Sequence, residues 1–363
     1  MKNVLKFTES VKMKKIKIIL TACGCPGAAT LIRMLKENGE RPVEIIGTDM
    51  DAEAVGRYLT DGFYQVPAGQ SNDYIPKLLD IVEKEKPDIL FPESSFEVYP
   101  LALNKNQFEK LGTQVVVSDP EPIRIANDKS LMYDILQKKS DIPLPKFSSA
   151  ESLSEFHKVI KKIGFPDVPV VFKPHIGKGS RGVRILDAKI DRKHQLMEEK
   201  PTSKFLSLSE FDSIFENVED FPKLLVMEWL EGMEITTDAL AYKGSELLTT
   251  VKTVEQARWG VIVRGELVER PDLVDQTRAI LKAIPLSYCV NLQFIANRLI
   301  EINPRVSTFI YQKDLIAPYL AVKLALGEIT EEEVKKYQTR IDYGRRMIRF
   351  MDQIFHKGGR RIL

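Results

Sequence analysis

Four polar side chains near the carboxyl end have the types and spacing of a metal and phosphate site. Gln293 lies in the apolar run VNLQF, and Glu301, Asn303 and Arg305 follow in LIEINPRVS. Two residues apart on a strand, Glu301 and Asn303 share one face, and apolar neighbours take the other. Oxygen ligands on a rigid face suit Mg²⁺, and Arg305 lies where it could reach a transferring phosphoryl group. The alternative is a polar face on a surface strand.

These side chains share a site only if the hairpin that joins their strands has a particular register. Gln293 faces the same side as Glu301 when the two residues are directly opposed. A three-residue loop over residues 296–298 gives this pairing, whereas a plain two-residue loop opposes Gln293 to Ile300. We therefore predict an odd loop or a β-bulge in this hairpin.

A glycine-rich loop, HIGKGSRG (175–182), follows an apolar strand that ends at Lys173. Gly177, Gly179 and Gly182 would let backbone N–H groups close over a phosphate chain. The loop alone is weak evidence, because such hairpin tips are often solvated turns.

The segment MEWLEGMEITTDA (227–239) could hold the base and sugar of a nucleotide. An adenine needs an acceptor for its amino group and a backbone donor for N1, and a ribose needs a carboxylate. Glu228, the backbone of Leu230 and Glu234 could supply these groups. A solvated hairpin corner is the competing interpretation.

The elements around these motifs indicate an α/β fold followed by α+β. Residues 1–13 have the character of a loose extension. Strands and helices then alternate to about residue 120, which predicts a doubly wound domain with a parallel sheet. Successive strands from 224 to 303 predict an antiparallel sheet, and helices are predicted at 314–326 and 330–351.

Composition excludes several classes of function. The 53 basic residues nearly balance the 51 acidic ones, which argues against a nucleic-acid binder. Apolar runs are only strand-sized, so we expect no membrane span. Three cysteines in a chain this long favour a reducing cytoplasm. The first glycine turn, GCPGAA (24–29), lacks the dinucleotide-binding spacing.

Taken in order, the motifs resemble those of ATP-grasp enzymes, and most closely the synthetase halves of the carbamoyl-phosphate synthase large chain. The resemblance covers residues 14–327 and includes NDKSLMYDIL (127–136) and AVKLALGE (321–328). It implies a pre-ATP-grasp domain over 14–123, a small subdomain with a lid loop and an insertion over 124–222, and a large subdomain with C-terminal helices over 223–363.

The resemblance also implies roles for individual residues, with ATP and two Mg²⁺ or Mn²⁺ ions as cofactors. The implied metal ligands are Gln293, Glu301 and Asn303, and the implied catalytic residues are Arg305 and Lys173. The implied nucleotide-binding residues are Lys129, Lys173, Gly179, Ser180, Glu228, Leu230 and Glu234. Weaker candidates for binding the carboxylate substrate are Arg258, Arg264, His175 and Arg181.

The function that these features predict is ligation of a small-molecule carboxylate to an amine through an acyl phosphate. Two alternatives stay open: formation of carboxyphosphate from bicarbonate, and a non-catalytic protein that binds ATP. The chain has one synthetase half and a long interval between Lys173 and Glu228, with the excess in residues 187–222, the predicted insertion. Both features make carbamoyl phosphate a doubtful product. A cytoplasmic location is expected, a homodimer is compatible with the sequence, and no nucleic-acid or membrane partner is expected.

Overall fold

The computed structural model describes residues 13–177, 179, 181–199, 203–258, 261–307, 309–358 and 360–361. It forms two compact units, the first from the described residues of Met1–Val116, Tyr311–Glu333 and Asp352–Leu363, the second from those of Val117–Ile310 and Val334–Met351. The domain boundaries drawn from the sequence stay a prediction.

The strands and helices alternate in the first third of the chain and then give way to runs of strands. The strands are β1 Ile16–Leu20, β2 Val43–Asp49, β3 Gly62–Gln65, β4 Ile89–Phe91, β5 Gln114–Val115, β6 Phe147–Ala150, β7 Val170–Pro174, β8 Arg184–Leu186, β9 Phe205–Leu206, β10 Leu224–Glu228, β11 Ile235–Tyr242, β12 Ser245–Thr253, β13 Gln256–Arg258, β14 Val261–Glu266, β15 Tyr288–Ile295, β16 Arg298–Asn303, β17 Arg346–Ile348, β18 His356–Lys357 and β19 Arg360–Arg361. The α-helices are α1 Ala28–Lys36, α2 Tyr74–Glu85, α3 Val98–Lys110, α4 Pro120–Asn127, α5 Lys129–Lys139, α6 Leu153–Ile163, α7 Arg192–Glu198, α8 Leu208–Phe215, α9 Pro271–Ala283, α10 Ala317–Ala325 and α11 Glu331–Lys335. Short 3₁₀ helices cover Val55–Tyr58 and Lys336–Arg340.

The first unit contains a five-stranded parallel sheet in the order β3-β2-β1-β4-β5. Its central strand, IKIIL, is almost wholly buried, as expected for a parallel strand covered on both faces. Helices α1 and α2 pack their apolar residues inward and link successive strands. The predicted doubly wound α/β fold is confirmed.

A buried polar network joins α10 to the start of the first unit. The Arg41 guanidinium is almost fully buried, forms an ion pair with Glu328 and donates to the Tyr319 hydroxyl at 3.1 Å. The adjacent Glu40 accepts from Lys323 Nζ at 2.9 Å and from Tyr319 at 3.0 Å. These contacts explain why Tyr311–Glu333 belongs to the same unit as the parallel sheet.

The second unit contains two main sheets. The sheet β6-β10-β7-β8-β9 is antiparallel except for the parallel pair β8–β9, and the sheet β12-β11-β15-β16 is wholly antiparallel. The strands predicted between residues 224 and 303 are antiparallel to their neighbours in these two sheets, but β10 belongs to the first sheet and β11, β12, β15 and β16 form the second.

The predicted insertion over residues 187–222 is partly built into this unit. The Ser207 capping box is present at the start of α8. From this helix Phe211 stacks on Phe156 of α6 at 4.0 Å between ring centroids and packs edge-on against Phe172. The insertion thus contributes to the hydrophobic core beneath the first of the two sheets.

The helix predicted over residues 330–351 is wrong. Helix α11 ends at Lys335, and after the 3₁₀ turn the chain forms β17, which pairs with β14 at the edge of a small sheet. The Arg346 guanidinium contacts both Glu255 and Glu266, which fixes this strand on its neighbours. Tertiary pairing here overrides the local helical pattern.

Among the described residues, every helix is too short or too polar to cross a lipid bilayer.

We expect Arg41→Met to lower the free energy of unfolding by about 2–4 kcal/mol, because it leaves the Glu328 carboxylate and Tyr319 without their buried partner. Denaturant unfolding followed by circular dichroism measures this. The matched control, Arg57→Met, breaks an exposed ion pair with Glu53 and should cost less than about 1 kcal/mol. Equal losses in the two variants would contradict a structural role for the buried network.

Candidate active site

The hairpin β15–β16 has the register that the predicted site requires. Gln293 pairs directly with Glu301, and Asn291 pairs with Asn303, so these four side chains share one face of the sheet. The loop is not the predicted three-residue turn, because Ile295 pairs with Arg298 across two residues. The register shift between Gln293 and Phe294 is instead a β-bulge, the other outcome that the sequence allowed.

The turn and the bulge have identifiable local causes. Ala296 and Asn297 adopt positive φ angles of 48° and 60°, the conformation of a tight two-residue hairpin turn. Phe294 pairs with Leu299 and Gln293 with Glu301, which makes Ile300 the extra residue. An extra residue leaves a backbone carbonyl out of the ladder, and another group has to satisfy it.

Two side chains satisfy the carbonyls at the bulge. Lys173 of β7 donates from Nζ to the Ile300 carbonyl at 2.9 Å. The Tyr133 hydroxyl of α5 donates to the Leu299 carbonyl at 2.7 Å. The bulge therefore connects the predicted metal ligands to the predicted phosphate-binding lysine.

The second lysine, Lys129, begins α5 and contacts both the glycine loop and the hairpin. Its Nζ donates to the Gly177 carbonyl at 2.7 Å and lies 3.2 Å from Glu301 Oε1. Asp128 caps the same helix by accepting from Leu131 N, and its other oxygen lies 3.2 Å from His175 Nδ1. His175, at the start of the glycine loop, thus contacts the residue that caps α5.

Burial controls the charge state of Lys173. Desolvation is the main cause that lowers the pKa of its ammonium to about 8. The nearby Glu301 carboxylate opposes this shift, and the Lys129 charge adds to it. An anion that neutralised this pair of lysines would restore the charged form.

These residues line a cavity of about 250 Å³ between the two sheets of the second unit. Most of its wall is apolar, with charged groups concentrated toward the hairpin and the glycine loop. The predicted site residues on its wall are Lys129, Lys173, Arg181, Glu228, Leu230, Glu234, Gln293 and Glu301.

At one end of the cavity, Glu228 is already engaged. Its Oε1 accepts from the Lys146 backbone N–H at 2.8 Å and contacts the Arg298 guanidinium. One oxygen of this carboxylate is therefore already engaged by groups of the chain itself. The Leu230 N–H, by contrast, makes no hydrogen bond within the described part of the chain.

Glu234 lies beside the predicted metal ligands. Gln293 donates from Nε2 to Glu234 Oε1 at 3.0 Å. Burial and then the neighbouring Glu301 charge raise the pKa of this carboxyl group. The pair links the predicted sugar-binding acid to the predicted metal site.

Among the described residues, the wall of the cavity does not include six of the predicted ones: His175, Gly179, Arg258, Arg264, Asn303 and Arg305. Arg258 and Arg264 are exposed on β13 and β14, and their backbones pair with neighbouring strands. The Arg305 guanidinium donates to the Val306 carbonyl at 2.7 Å. Gly179 adopts a positive φ of 63°, and Ser180 lies outside the described residues. Their assigned roles stay predictions.

Sequence reasoning missed a polar network that runs from the hairpin to the two neighbouring strands of its sheet. Asn303 contacts Asn291, Asn291 contacts Asp238, and Asp238 forms an ion pair with Lys252. Asn291 could have been found, because it lies two residues from Gln293 on the same strand. Asp238 and Lys252 depend on the pairing of β11 and β12, which no local pattern specifies.

A further cavity residue, Lys204, comes from the predicted insertion. It lines the wall beside Arg181, and its charge lowers the pKa of Glu234, partly offsetting the effect of burial. Its carbonyl accepts from Ile185 N at 2.9 Å, which places this residue next to β8.

The first glycine turn has a different environment from a dinucleotide site. A Cβ atom at Gly27 would lie 2.6 Å from Glu93 Oε1, and the Gly24 N–H donates to Asp49 at 2.7 Å. Carboxylates of the chain itself therefore occupy the space at the start of α1 where a pyrophosphate would bind. This supports the sequence-based rejection of NAD binding.

The donor set of the hairpin fits a hard divalent cation. Among the described residues no group of three or more His, Cys, Asp or Glu side chains could hold a metal. A cation here would use the Glu301 carboxylate with the amide oxygens of Gln293 and Asn303. Such a set leaves coordination positions for phosphate and water, as Mg²⁺ prefers.

Family models match both units. A model described as "ATP-grasp in the biosynthetic pathway with Ter operon" matches residues 220–346. A model described as "PylC-like, N-terminal domain" matches residues 16–116.

Curated relatives include the carbamoyl phosphate synthase large chain of Clostridium acetobutylicum, which is 24% identical over 284 residues, covering 74% of this chain and 24% of the relative. The formate-dependent phosphoribosylglycinamide formyltransferase of Pyrococcus furiosus is 29% identical over 154 residues, or 40% of this chain and 34% of the relative. The chain thus spans about a quarter of the carbamoyl phosphate synthase chains that it matches.

Solved structures share the fold. The biotin carboxylase domain of Hydrogenobacter thermophilus 2-oxoglutarate carboxylase, in complex with MgADP, ADP and bicarbonate, aligns with a TM-score of 0.63 at 18% identity and covers 92% of this chain and 74% of that one. Staphylococcus aureus N5-carboxyaminoimidazole synthetase with ADP gives 0.56 at 14% identity, over 81% and 72%.

Replacing Lys173 with Met should change how stability depends on pH. The pKa is about 8 in the folded protein and 10.5 ordinarily, so between these values the unfolded chain holds a proton that the folded chain has lost. The free energy of unfolding of the wild type therefore rises across this window relative to Lys173→Met, by up to about 1.4 kcal/mol per pH unit.

Denaturant titrations from about pH 7 to pH 10 measure this difference. The control is Lys161→Met, which replaces an exposed lysine of α6 and should give no such trend. If the difference in free energy of unfolding between the wild type and Lys173→Met stays constant over this pH range, the lowered pKa of Lys173 is contradicted.

Proposed function

This chain is an ATP-grasp protein, and on that premise we propose that it is a ligase. It uses MgATP to convert a small carboxylate to an acyl phosphate and transfers the acyl group to an amine. The observation that carries the proposal is the convergence of Lys129, Lys173 and Glu301, with Gln293 paired to Glu301, on one cavity.

The phosphates of ATP are assigned to the lysine end of the cavity. Lys129 and Lys173 supply two ammonium groups there, and Gly177 brings the backbone of the glycine loop to the same place. The loop covers the reacting atoms and keeps water from the acyl phosphate. Ser180 and Gly179 belong to this loop and are assigned to phosphate binding.

The base and sugar are assigned to the other end. The Leu230 N–H donates to the adenine, Glu234 accepts from the ribose hydroxyls, and Trp229 and Met227 supply apolar wall. Glu228 acts through its contacts with Lys146 and Arg298, which hold this end of the cavity together. The assignment of Glu228 to the adenine stays a prediction.

Gln293, Glu301 and Asn303 are assigned as ligands of two Mg²⁺ or Mn²⁺ ions. When bound, the ions neutralise charge on the phosphates during in-line transfer. Glu301 also holds Lys129 in place, and Gln293 ties this face to Glu234. Arg305, which follows the strand, is assigned to the transferring phosphoryl group.

The reaction then has two steps. A carboxylate oxygen of the substrate attacks the γ-phosphorus of ATP, the bond to the bridging oxygen breaks, and ADP leaves with that electron pair. The amine nitrogen next attacks the acyl carbon, phosphate leaves, and the nitrogen gives up a proton. Lys173 and Lys129 stabilise the charge on the phosphates throughout.

Bicarbonate is the second candidate for the carboxylate. The curated relatives of this chain include carbamoyl phosphate synthases, and a structural neighbour was solved with bicarbonate. A cytoplasmic location is included in the proposal. A homodimer is included in the proposal and is measurable by light scattering.

The substrate is found by measuring ADP and phosphate release against amino acids, small carboxylates and bicarbonate, each with and without an amine. A ligase releases ADP in amounts matched to an amide product. Release with bicarbonate alone favours the carboxyphosphate reaction. MgATP binding without ADP release across the whole panel would contradict the proposed ligase and leave a nucleotide-binding protein.

Lys173→Met and Arg305→Met should each lower the rate of ADP release by about 10²–10³, because each removes a fixed positive charge at the reacting centre. Lys161→Met, on the exposed face of α6, should keep the wild-type rate. ADP release near the wild-type rate by either site variant would refute its assignment.

A further inference from the structure

Four polar side chains form a continuous row across the sheet, on the face that Gln293 and Glu301 share. The Asn303 amide donates from Nδ2 to Asn291 Oδ1 at 3.3 Å, and Asn291 Nδ2 donates to Asp238 Oδ1 at 3.0 Å. The other Asp238 oxygen forms an ion pair with Lys252. The row crosses all four strands, β12, β11, β15 and β16.

The row is built into the interior of the second unit. The side chains of Lys252 and Asp238 are 0% and 1% exposed, and Asn291 is buried with them. Burying an ion pair is a weak source of stability, because desolvation offsets most of the attraction. This ion pair lies in one hydrogen-bonded row with Asn303, so holding that side chain in position explains it better than a gain in stability does.

The chemistry of the row allows only one direction of hydrogen bonding. An ammonium group only donates and a carboxylate only accepts, so Asp238 must receive from both neighbours. Asn291 must then present its NH₂ group to Asp238, where Nδ2 also lies 3.4 Å from the Thr237 carbonyl, and its oxygen to Asn303. Asn303 in turn must present its NH₂ group to Asn291, which leaves its Oδ1 for another partner.

We infer that Lys252 and Asp238 are positioning residues that, through Asn291, fix the Asn303 side-chain amide with its oxygen available to a divalent cation. The inference rests on the proposed function, because it takes Asn303 as a ligand. An amide that turned over would offer the cation an NH₂ group instead of an oxygen. Outer contacts of this kind set metal affinity by orienting the ligand.

Single and paired substitutions of nearly unchanged shape test this direction. In Asp238→Asn, the new amide must give its oxygen to Lys252 and its NH₂ group to Asn291. Asn291 and Asn303 then both turn over, and the cation loses its oxygen ligand. In the swap Asp238→Asn with Asn291→Asp, the carboxylate at 291 again receives from Asn303, so the original orientation returns.

A third variant separates orientation from stability. Asn291→Asp alone puts two carboxylates side by side, which should destabilise the fold. It still accepts from Asn303, however, so the oxygen of Asn303 stays available. If the row has only a structural role, metal affinity follows stability in all variants.

The probes are ADP and Mn²⁺ with the full-length protein. Calorimetry gives the ratio of the ADP dissociation constants measured without and with Mn²⁺, and denaturant unfolding gives stability. We expect Asp238→Asn to reduce this ratio by about 10–100-fold, and we expect the swap and Asn291→Asp to retain it. If Asp238→Asn does not fold, Asn291→Leu replaces it, with a smaller expected loss because Asn303 is then free to turn.

The possible results distinguish failure of the positioning role from failure of the proposed function. A wild-type ratio in Asp238→Asn, or in Asn291→Leu where it replaces that variant, overturns the positioning role and leaves the proposed function standing. So does a swap as defective as Asp238→Asn, or an Asn291→Asp protein that loses metal coupling along with stability. A wild-type protein that binds ADP neither with nor without Mn²⁺ overturns the proposed function and the positioning role together.

Discussion

The bulge at Ile300 is the constraint on which the rest of the cavity depends. Because side chains alternate along a strand, the extra residue moves Glu301 and Asn303 onto the face that Gln293 occupies. The same residue leaves a carbonyl out of the ladder, and the Lys173 ammonium binds it at 2.9 Å. A single irregularity thus sets both the face that carries Glu301 and the position of a buried lysine.

This arrangement also balances charge. Lys129 and Lys173 bring two positive charges into a poorly solvated space, and Glu301 and Glu234 bring two carboxyl groups. Burial lowers the pKa of Lys173 and raises that of Glu234, so each group is held nearer neutrality than it would be in water. A nucleotide polyphosphate with divalent cations would reverse both effects, since it supplies a counter-charge to each.

The parts of the site that could be predicted from the sequence are those fixed by the alternation of side chains along a strand. Two residues of one strand share a face when they are an even number apart, so Glu301 and Asn303 could be placed together before the fold was known. Gln293 joins them only if the hairpin has an odd loop or a β-bulge, and the structure shows that it is the bulge. Asp238 and Lys252 were beyond reach, because their position depends on strand pairing with a register shift at Leu240.

The fold, too, was predictable where neighbours in sequence bury each other and was not predictable where a distant strand decides the structure. Alternating strands and helices predicted the parallel sheet, since each element there is buried by its sequence neighbours. The helix predicted over 330–351 was wrong because β14 offered an unpaired edge and carboxylates for Arg346, which the segment itself does not reveal.

The residues of 187–222 illustrate how a polar segment can become part of a site. Phe211 anchors it on α6, and the bond from Ile185 N to the Lys204 carbonyl extends the first sheet by one strand. Gln195 Nε2 donates to Ser203 Oγ at 2.6 Å and so ties α7 to that strand. Because Lys204 then lines the cavity, the long interval between Lys173 and Glu228 contributes to the wall of the cavity.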